Sequence, residues 1–206
     1  MDSYLVKTNS KKSFKIDLPD SDITYYTGIF ENSYLDNLFN YLDKLSQWEV
    51  KKIKVYGKNC VQNRETIFFS QNSENYRYSG VDNLGIPISQ HPILENLVHK
   101  IEVLLENKYK FNYILGNRYK TGNNNIGMHS DDERTLSGPI VSLSLGSSRF
   151  FDFKSKHTDD KLRLNLENGS ILVMSGNTQK NYKHGIPIQK KIKEPRINLT
   201  FRCVKN

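Results

Sequence analysis

Three segments in the second half of the chain alternate polar and apolar residues with a period of two. Residues 141–145 read Val-Ser-Leu-Ser-Leu, residues 161–166 read Lys-Leu-Arg-Leu-Asn-Leu, and residues 196–203 read Arg-Ile-Asn-Leu-Thr-Phe-Arg-Cys. This alternation predicts β-strands that bury one face and expose the other to water, because successive side chains point to opposite sides of a strand. Several such strands separated by turns favour a sandwich or a barrel.

Two amphipathic helices are predicted before these strands. Apolar residues recur at helical spacing after Ser33 and again after Pro92, a residue favoured in the first turn of a helix. Ser33 and Asp36 also resemble a capping box, which would start the first helix at Ser33. We therefore expect an α+β protein, mainly β, in which two N-terminal helices brace one side of the barrel.

The length and charge of the chain limit its organisation and its partners. The 206 residues suffice for one sizeable core and are few for two domains, so residues 21–206 are predicted to form a single domain after a flexible basic arm over residues 1–20. Lys and Arg outnumber Asp and Glu by 30 to 22. This excess favours an anionic partner such as nucleic acid, although a solubilising basic surface would look the same.

Apolar runs and cysteines bear on the cellular location. The N-terminal segment lacks the apolar run of a secretory signal, and no later segment approaches the roughly 20 apolar residues of a membrane span. Cys60 and Cys203 are too few for a disulfide framework. We expect a soluble, intracellular monomer in the nucleus or the cytoplasm, neither secreted nor bound to a membrane.

A candidate metal site begins in the segment GMHSDDE at residues 127–133. In an extended backbone, the side chains of His129 and Asp131 project to the same side, about 6.6 Å apart. Two histidines and one carboxylate form the facial triad of non-haem iron oxygenases. Of the other histidines, two lie at or in the second helix and His157 lies in a charged stretch, which leaves His184 as the third ligand. A solvated surface loop is the alternative for an isolated His-x-Asp pair.

The last predicted strand carries two arginines, an asparagine and a threonine on one face and apolar side chains on the other. The Cα atoms of Arg196 and Arg202 would lie about 20 Å apart. Two guanidinium groups that lean toward each other can hold the two ends of a small dicarboxylate. The alternative is a solvated barrel exterior with ordinary surface arginines.

Five motifs resemble, in order and spacing, those of the AlkB family, iron- and 2-oxoglutarate-dependent oxygenases that repair alkylated nucleic acid. They are NRYKTG at 117–122, GMHSDDE at 127–133, PIVSLSLG at 139–146, GNTQKNYKH at 176–184 and PRINLTFR at 195–202. The resemblance covers about residues 50–203 and is closest to the animal duplex-DNA repair branch. It implies a double-stranded β-helix, or jelly-roll barrel, over about residues 110–203, with a nucleotide-recognition lid over about residues 50–90.

The resemblance also implies the cofactors and the catalytic residues. Fe(II) would be bound by His129, Asp131 and His184, and Arg202 would be a further catalytic residue. The 2-oxoglutarate pocket would be lined by Asn117, Tyr119, Arg196, Asn198, Thr200 and Arg202. In that pocket Arg196 would bind the distal carboxylate, and Arg202 would lie near the carboxylate beside the keto group. With O2 as the oxidant, decarboxylation of 2-oxoglutarate to succinate and CO2 would be coupled to hydroxylation of an N-methyl group, followed by release of formaldehyde.

A base inside a duplex must be flipped out before it can reach the iron. By the resemblance, Tyr76, Tyr78 and Ser79 would contact the flipped nucleotide, and a packed strand face is the alternative for the two tyrosines. Asp132 and Glu133 would contact the polar edge of the base, because a carboxylate suits the positive charge of a methylated adenine or cytosine.

Tyr56 occupies the position of the aromatic wedge that the duplex branch inserts into the base stack. Arg64 would be the basic counterpart in the following segment, which otherwise departs from that branch, since Asn63 replaces the proline before the arginine. Single-stranded DNA or RNA would also suit a charged groove with stacking aromatics.

The predicted function is oxidative demethylation of N-alkylated bases, such as N1-methyladenine and N3-methylcytosine, with DNA favoured over RNA. Alternatives are an RNA demethylase of the same chemistry, a 2-oxoglutarate-dependent protein or small-molecule hydroxylase, and a non-catalytic nucleic-acid-binding barrel. The complete His/Asp/His set counts against the non-catalytic barrel. The tyrosine segment and the net charge of +8 count against small-molecule hydroxylation.

Overall fold

A computed structural model describes residues 12–55, 58–71, 75–78 and 81–205. Within these ranges the helices are α1 (Asn32–Asp43), α2 (Pro92–Leu104) and α3 (Thr178–Asn181), with a 3-10 turn at Ile88–Gln90. The strands there are β1 (Lys12–Ile16), β2 (Asp22–Thr27), β3 (Lys52–Val55), β4 (Lys58–Val61), β5 (Glu65–Ser70), β6 (Asn75–Tyr78), β7 (Val81–Leu84), β8 (Ile86–Pro87), β9 (Tyr113–Tyr119), β10 (Ile126–His129), β11 (Leu136–Gly146), β12 (Arg149–Ser155), β13 (Lys161–Leu166), β14 (Ile171–Ser175), β15 (Tyr182–Ile186) and β16 (Arg196–Val204).

Two sheets form the body of the protein. The large sheet has the strand order β1-β2-β14-β11-β16-β9-β5-β8, and the small sheet has the order β10-β15-β12-β13. Strand pairs that are distant in sequence, such as β2 with β14, arise because the chain crosses repeatedly from one sheet to the other. The hairpins β3-β4 and β6-β7 pair only with themselves. This topology is the predicted jelly-roll barrel in a mainly β, α+β protein.

The two long helices cover one face of the large sheet, as predicted. Their buried leucines and isoleucines belong to the same apolar cluster as the apolar face of β16, which comprises Ile197, Leu199 and Phe201. Helix α2 begins at Pro92, as predicted. The capping-box prediction was wrong, because α1 begins at Asn32 and its N-cap, Glu31, forms no side-chain cap hydrogen bond. No helix in the described ranges is long and apolar enough to cross a membrane.

The polar face of β16 is buried, contrary to the predicted exposure to water. Arg196 and Arg202 are each only 1% exposed, and the polar residues between them are buried as well. This face is covered by the small sheet, whereas the apolar face is covered by the helices. The alternative of a solvated barrel exterior is therefore excluded for β16. Of the three alternating segments, β13 alone shows the predicted pattern, with Lys161 and Arg163 exposed.

Residues 12–16 form a strand, although they lie inside the segment predicted to be a flexible arm. Strand β1 pairs antiparallel with β2, from Lys12 opposite Thr27 to Ile16 opposite Ile23. Its side chains are largely exposed, so backbone hydrogen bonds to the edge of the large sheet hold it in place. The domain boundary at about residue 20 stays a prediction.

Candidate active site

A cavity lies between the two sheets. Its walls comprise Leu115, Asn117, Tyr119, Ile126, His129, Asp131, Ser142, Phe151, Met174, His184, Ile186, Arg196, Asn198, Thr200 and Arg202. The three predicted iron ligands and the six predicted 2-oxoglutarate residues therefore line one cavity. Strands far apart in sequence supply them from the two facing sheets.

The predicted iron ligands meet because β10 and β15 are neighbours in the small sheet. His129 lies directly opposite His184, after a one-residue irregularity in β10 that begins at Ile126. Gly185 permits this close pairing, since a Cβ there would lie 2.8 Å from the carbonyl oxygen of Ile126. Ligand atoms of His129, Asp131 and His184 lie within 4.8 Å of one another. This arrangement fits the facial triad that binds ferrous iron.

The protonation states of the three side chains suit metal binding. The Nδ1–H of His129 donates to the carbonyl oxygen of Gly127 at 2.9 Å, which leaves Nε2 free to bind a metal. Burial lowers the pKa of His129 and lowers the pKa of His184 to about 3, so both rings are neutral near pH 7. Burial acts to raise the pKa of Asp131, but the Arg202 guanidinium and the two histidines hold that pKa below its usual value.

Arg202 pairs with a predicted iron ligand, Asp131, inside the cavity. Its Nη2 donates to Asp131 Oδ1 at 2.7 Å, and its Nη1 lies 3.9 Å from Glu133 Oε1. Asp131 Oδ2 faces His184 Nε2 at 3.7 Å. Arg202 therefore holds one carboxylate oxygen of Asp131 while the other faces the metal position. Its predicted place beside the keto acid stays a prediction.

The predicted 2-oxoglutarate residues lie on adjacent strands of the large sheet. In the β9-β16 pairing, Asn117 is opposite Asn198 and Tyr119 is opposite Arg196. Arg196 donates through Nη2 to Ser144 Oγ at 3.0 Å, while its Nε and Nη1 have no hydrogen-bond partner among the described residues. Burial lowers the pKa of Arg196 to about 10, which leaves the side chain cationic at pH 7. An anionic acceptor such as a carboxylate would satisfy these buried, unpaired donors of the Arg196 guanidinium.

A hydrogen-bond network next to Arg196 connects β16 to β11 on the cavity wall. Asn198 Nδ2 donates to Ser142 Oγ at 2.7 Å and to the carbonyl oxygen of Leu143 at 3.0 Å, and Thr200 Oγ1 donates to Asn198 Oδ1 at 3.1 Å. Sequence reasoning missed Ser142 and its neighbour Ser144 as site residues. The sequence signal for these serines was their alternation with apolar residues. This signal points to the cavity only when β11 is known to pair with β16.

Arg149 is a second residue that sequence reasoning missed. It is 1% exposed, and its guanidinium donates to the backbone oxygens of Thr121, Asn124 and Pro187 at 2.8 to 3.3 Å. Its guanidinium carbon lies 5.6 Å from the centre of the Tyr119 ring. Arg149 thus joins the loop before β10 to the loop after β15 and supports a cavity residue. No motif in the sequence singled it out.

The predicted nucleic-acid residues are distributed around this cavity. Arg64 is buried, and its Nε donates to Asn117 Oδ1 at 2.6 Å, so it contacts a predicted 2-oxoglutarate residue. Asp132 is exposed, with its Oδ2 3.4 Å from Lys156 Nζ. Burial raises the pKa of Glu133, the neighbour of Arg202. Their contacts with nucleic acid stay predictions.

The four remaining predicted substrate residues lie in the segment predicted to form the lid. Tyr76 and Tyr78 lie in β6, which pairs with β7. Tyr56 and Ser79 lie outside the described residues.

Comparison with known proteins identifies the family. The model of the 2OG-Fe(II) oxygenase superfamily matches residues 22–202. The chain belongs to this superfamily. It is 33% identical over 192 residues to the DNA oxidative demethylase ALKBH2 of Bos taurus, covering 87% of this chain and 68% of that protein. It is 34% identical over 193 residues to ALKBH2 of Mus musculus, covering 87% and 79%.

Further relatives place this 2OG-Fe(II) oxygenase in the AlkB family, as its motifs predicted. It is 36% identical over 126 residues to the alpha-ketoglutarate-dependent dioxygenase alkB homolog 3 of Homo sapiens, covering 55% of this chain and 43% of that protein. The solved structure of OsALKBH1 superposes with a TM-score of 0.59 at 18% identity, covering 92% of this chain and 100% of that chain. That likeness supports the fold.

The chain is thus an Fe(II)- and 2-oxoglutarate-dependent dioxygenase, and its residues fit both cofactors. His129, Asp131 and His184 would hold the iron, which together with 2-oxoglutarate and O2 supplies the oxidation of a C–H bond. The unpaired donors of Arg196 fit a carboxylate of the co-substrate.

Proposed function

We propose that this AlkB-family dioxygenase removes N-methyl groups from alkylated bases, such as N1-methyladenine and N3-methylcytosine, in DNA. The observation that carries the proposal is a complete His/Asp/His ligand set in a chain that aligns over 87% of its length with relatives named DNA oxidative demethylase. Repair of DNA rather than RNA is part of the proposal.

The side chains of the cavity hold the reactants and exclude water. Arg196 binds one carboxylate of 2-oxoglutarate, and Arg202 keeps Asp131 oriented toward the metal. Apolar walls formed by residues such as Phe151 and Met174 limit access of water to the methyl group. One oxygen atom of O2 enters succinate and the other converts N–CH3 to N–CH2OH. The C–N bond then breaks, the ring nitrogen keeps the electron pair, the hydroxyl proton passes to water, and formaldehyde leaves.

Positive charge outside the cavity supports a nucleic-acid substrate. Lysines at residues 154, 156, 161 and 183 line two neighbouring surface grooves at the small sheet, together with Arg163. Cations in such a groove attract phosphates and make binding depend on salt. We assign the flipped nucleotide to Tyr76, Tyr78, Ser79, Asp132 and Glu133, and the duplex contacts to Tyr56 and Arg64.

The proposal includes a monomer that acts where its DNA substrate is found, in the nucleus or the cytoplasm. Both halves of the cavity, with all three iron ligands, come from one chain, so a second copy is not needed to complete the site. Multi-angle light scattering should give one chain per particle, about 23.9 kDa.

A matched substrate panel tests the function. Oligonucleotides with one N1-methyladenine or N3-methylcytosine, as single- and double-stranded DNA and RNA of equal sequence, are incubated with enzyme, Fe(II) and 2-oxoglutarate, and demethylation is followed by mass spectrometry. We expect DNA to be repaired faster than RNA, and no repair by His129→Ala. Tyr56→Ala should slow repair of duplexes more than of single strands, because a wedge is needed only where a partner base is displaced. Turnover confined to RNA, or none on any oligonucleotide, would contradict the proposal.

A further inference from the structure

The motif GNTQKNYKH at residues 176–184 provides more than the iron ligand His184. Helix α3 forms the middle of this motif and immediately precedes β15. Its Gln179 accepts, through Oε1, a hydrogen bond from the backbone N–H of Asp131 at 2.9 Å. We propose that Gln179 is a positioning residue that fixes Asp131 for metal binding. This inference rests on the metal site of the proposed function.

The Gln179 amide has a single orientation in this contact. The backbone N–H of Asp131 is a donor, so only Oε1 can face it, and a flipped amide would bring two donors together. The Nε2 of the same amide lies 3.5 Å from the Sδ of Met174, a weak acceptor on the cavity wall. Both ends of the amide are therefore engaged, which holds the acceptor oxygen in place.

Asp131 requires such support because it lies beyond the end of a strand. Strand β10 ends at His129, so Asp131 has no strand pairing to fix its backbone. Arg202 holds Oδ1 of its carboxylate, but the position of the whole side chain depends on the backbone that carries it. A second tie joins the same segment to β15, since Ser130 Oγ donates to the carbonyl oxygen of Tyr182 at 2.8 Å. Residues 130–131 are thereby fixed relative to the strand that carries His184.

Helix α3 is itself anchored on its other side. Thr178 Oγ1 accepts a hydrogen bond from the backbone N–H of Asp22 at 3.0 Å, at the start of β2. The hydroxyl of Tyr182 donates to the carbonyl oxygen of Pro19 at 2.6 Å. The turn between β1 and β2 thus supports α3, and α3 transmits that support to Asp131 through Gln179.

Metal binding by the full chain tests the inference without a nucleic-acid substrate. Metal-free protein with 2-oxoglutarate is titrated with Co(II) by isothermal titration calorimetry. Gln179→Leu keeps the side-chain size but removes the acceptor, and it should raise the metal Kd about tenfold or more, the usual loss when an outer partner of a metal ligand is removed. Gln179→Glu keeps an acceptor oxygen at the same reach and should remain within about threefold of the wild type. Lys180→Gln, on the exposed side of α3, should not change the Kd.

A merely structural role of Gln179 predicts different results. It would lower the unfolding temperature of the metal-free protein and would leave metal affinity of the folded fraction unchanged, whereas we expect similar unfolding temperatures and a changed Kd. A Gln179→Leu variant with wild-type Kd, or a Gln179→Glu variant as weak as Gln179→Leu, would overturn the inference. If Gln179→Leu does not fold, Gln179→Met is judged by the same Kd criterion. A wild type that binds Co(II) but demethylates nothing would refute the proposed function and leave this inference intact.

Discussion

Replacing Arg196 by Lys preserves the charge but changes the geometry of the co-substrate pocket. Arg196 is fully buried; its Nη2 is engaged by Ser144, while Nε and Nη1 have no partner among the described residues. A guanidinium can donate hydrogen bonds to the serine and to a carboxylate at the same time, because separate nitrogens are available. A lysine offers one nitrogen for both, so the carboxylate of 2-oxoglutarate loses at least one charge-assisted hydrogen bond.

The size of the effect follows from the energy of that bond. A hydrogen bond to a charged group contributes about 1.5–3 kcal/mol. With about 1.4 kcal/mol for each factor of ten, Arg196→Lys should raise the KM for 2-oxoglutarate about 10- to 150-fold. The KM for the oligonucleotide should change far less, because Arg196 lies on the wall of the large sheet, away from the surface lysines of the small sheet.

The assay is the initial rate of succinate formation against 2-oxoglutarate concentration at saturating Fe(II) and oligonucleotide. Arg163→Lys is the matched control, because Arg163 is exposed and pairs with Asp152 at 2.6 Å outside the cavity. The KM of Arg163→Lys for 2-oxoglutarate should equal that of the wild type. A KM within about twofold of wild type for Arg196→Lys would refute the reasoning and would move the co-substrate to another part of the protein.

Three further predictions concern the metal, the lid and the acid stability. Alanine at His129, Asp131 or His184 should abolish succinate formation, since two ligands hold ferrous iron weakly, and residual activity above about a tenth in all three variants would contradict the triad. Arg64→Met should raise the KM for 2-oxoglutarate, because it removes the hydrogen bond that Arg64 donates to Asn117, and a rise confined to the KM for the oligonucleotide would contradict this. Burial lowers the pKa of His91, so on acidification below about pH 6.5 the unfolded state takes up a proton before the folded state does. The free energy of unfolding therefore decreases as the pH is lowered. The unfolding temperature of the wild type should therefore fall more than that of His91→Asn on acidification, and equal falls would exclude a contribution from His91.

The period-two alternation predicted the strands of the barrel but not what covers their polar faces. Ser142, Ser144 and the polar residues of β16 looked water-facing because exposed polar residues are common on antiparallel sheets. In the structure Ser142 and the polar residues of β16 line the cavity below the small sheet, and Ser144 accepts a hydrogen bond from Arg196. Alternation along one strand shows only that the two faces of that strand differ in polarity. What covers each face depends on strands that lie elsewhere in the sequence.

The three candidate metal ligands could be selected from the sequence because their chemistry limits the choices, whereas the residues that support them could not. His129 and Asp131 are two residues apart, and few other histidines were available. Gln179 contacts a backbone N–H, which every residue except proline provides, so no residue type in the sequence indicates the pairing. Arg149 likewise binds backbone oxygens. Supports of this kind become visible only when the chain is folded.

The buried charges in and beside the cavity predict that Fe(II) and 2-oxoglutarate favour each other's binding. Arg149, Arg196 and Arg202 are each 1% exposed, and Asp131 is the ionised carboxylate that pairs directly with one of them. Iron adds two more positive charges, which are costly in a cavity with low polarity. A dianionic co-substrate offsets that charge and satisfies the unpaired donors of Arg196, so each cofactor favours binding of the other.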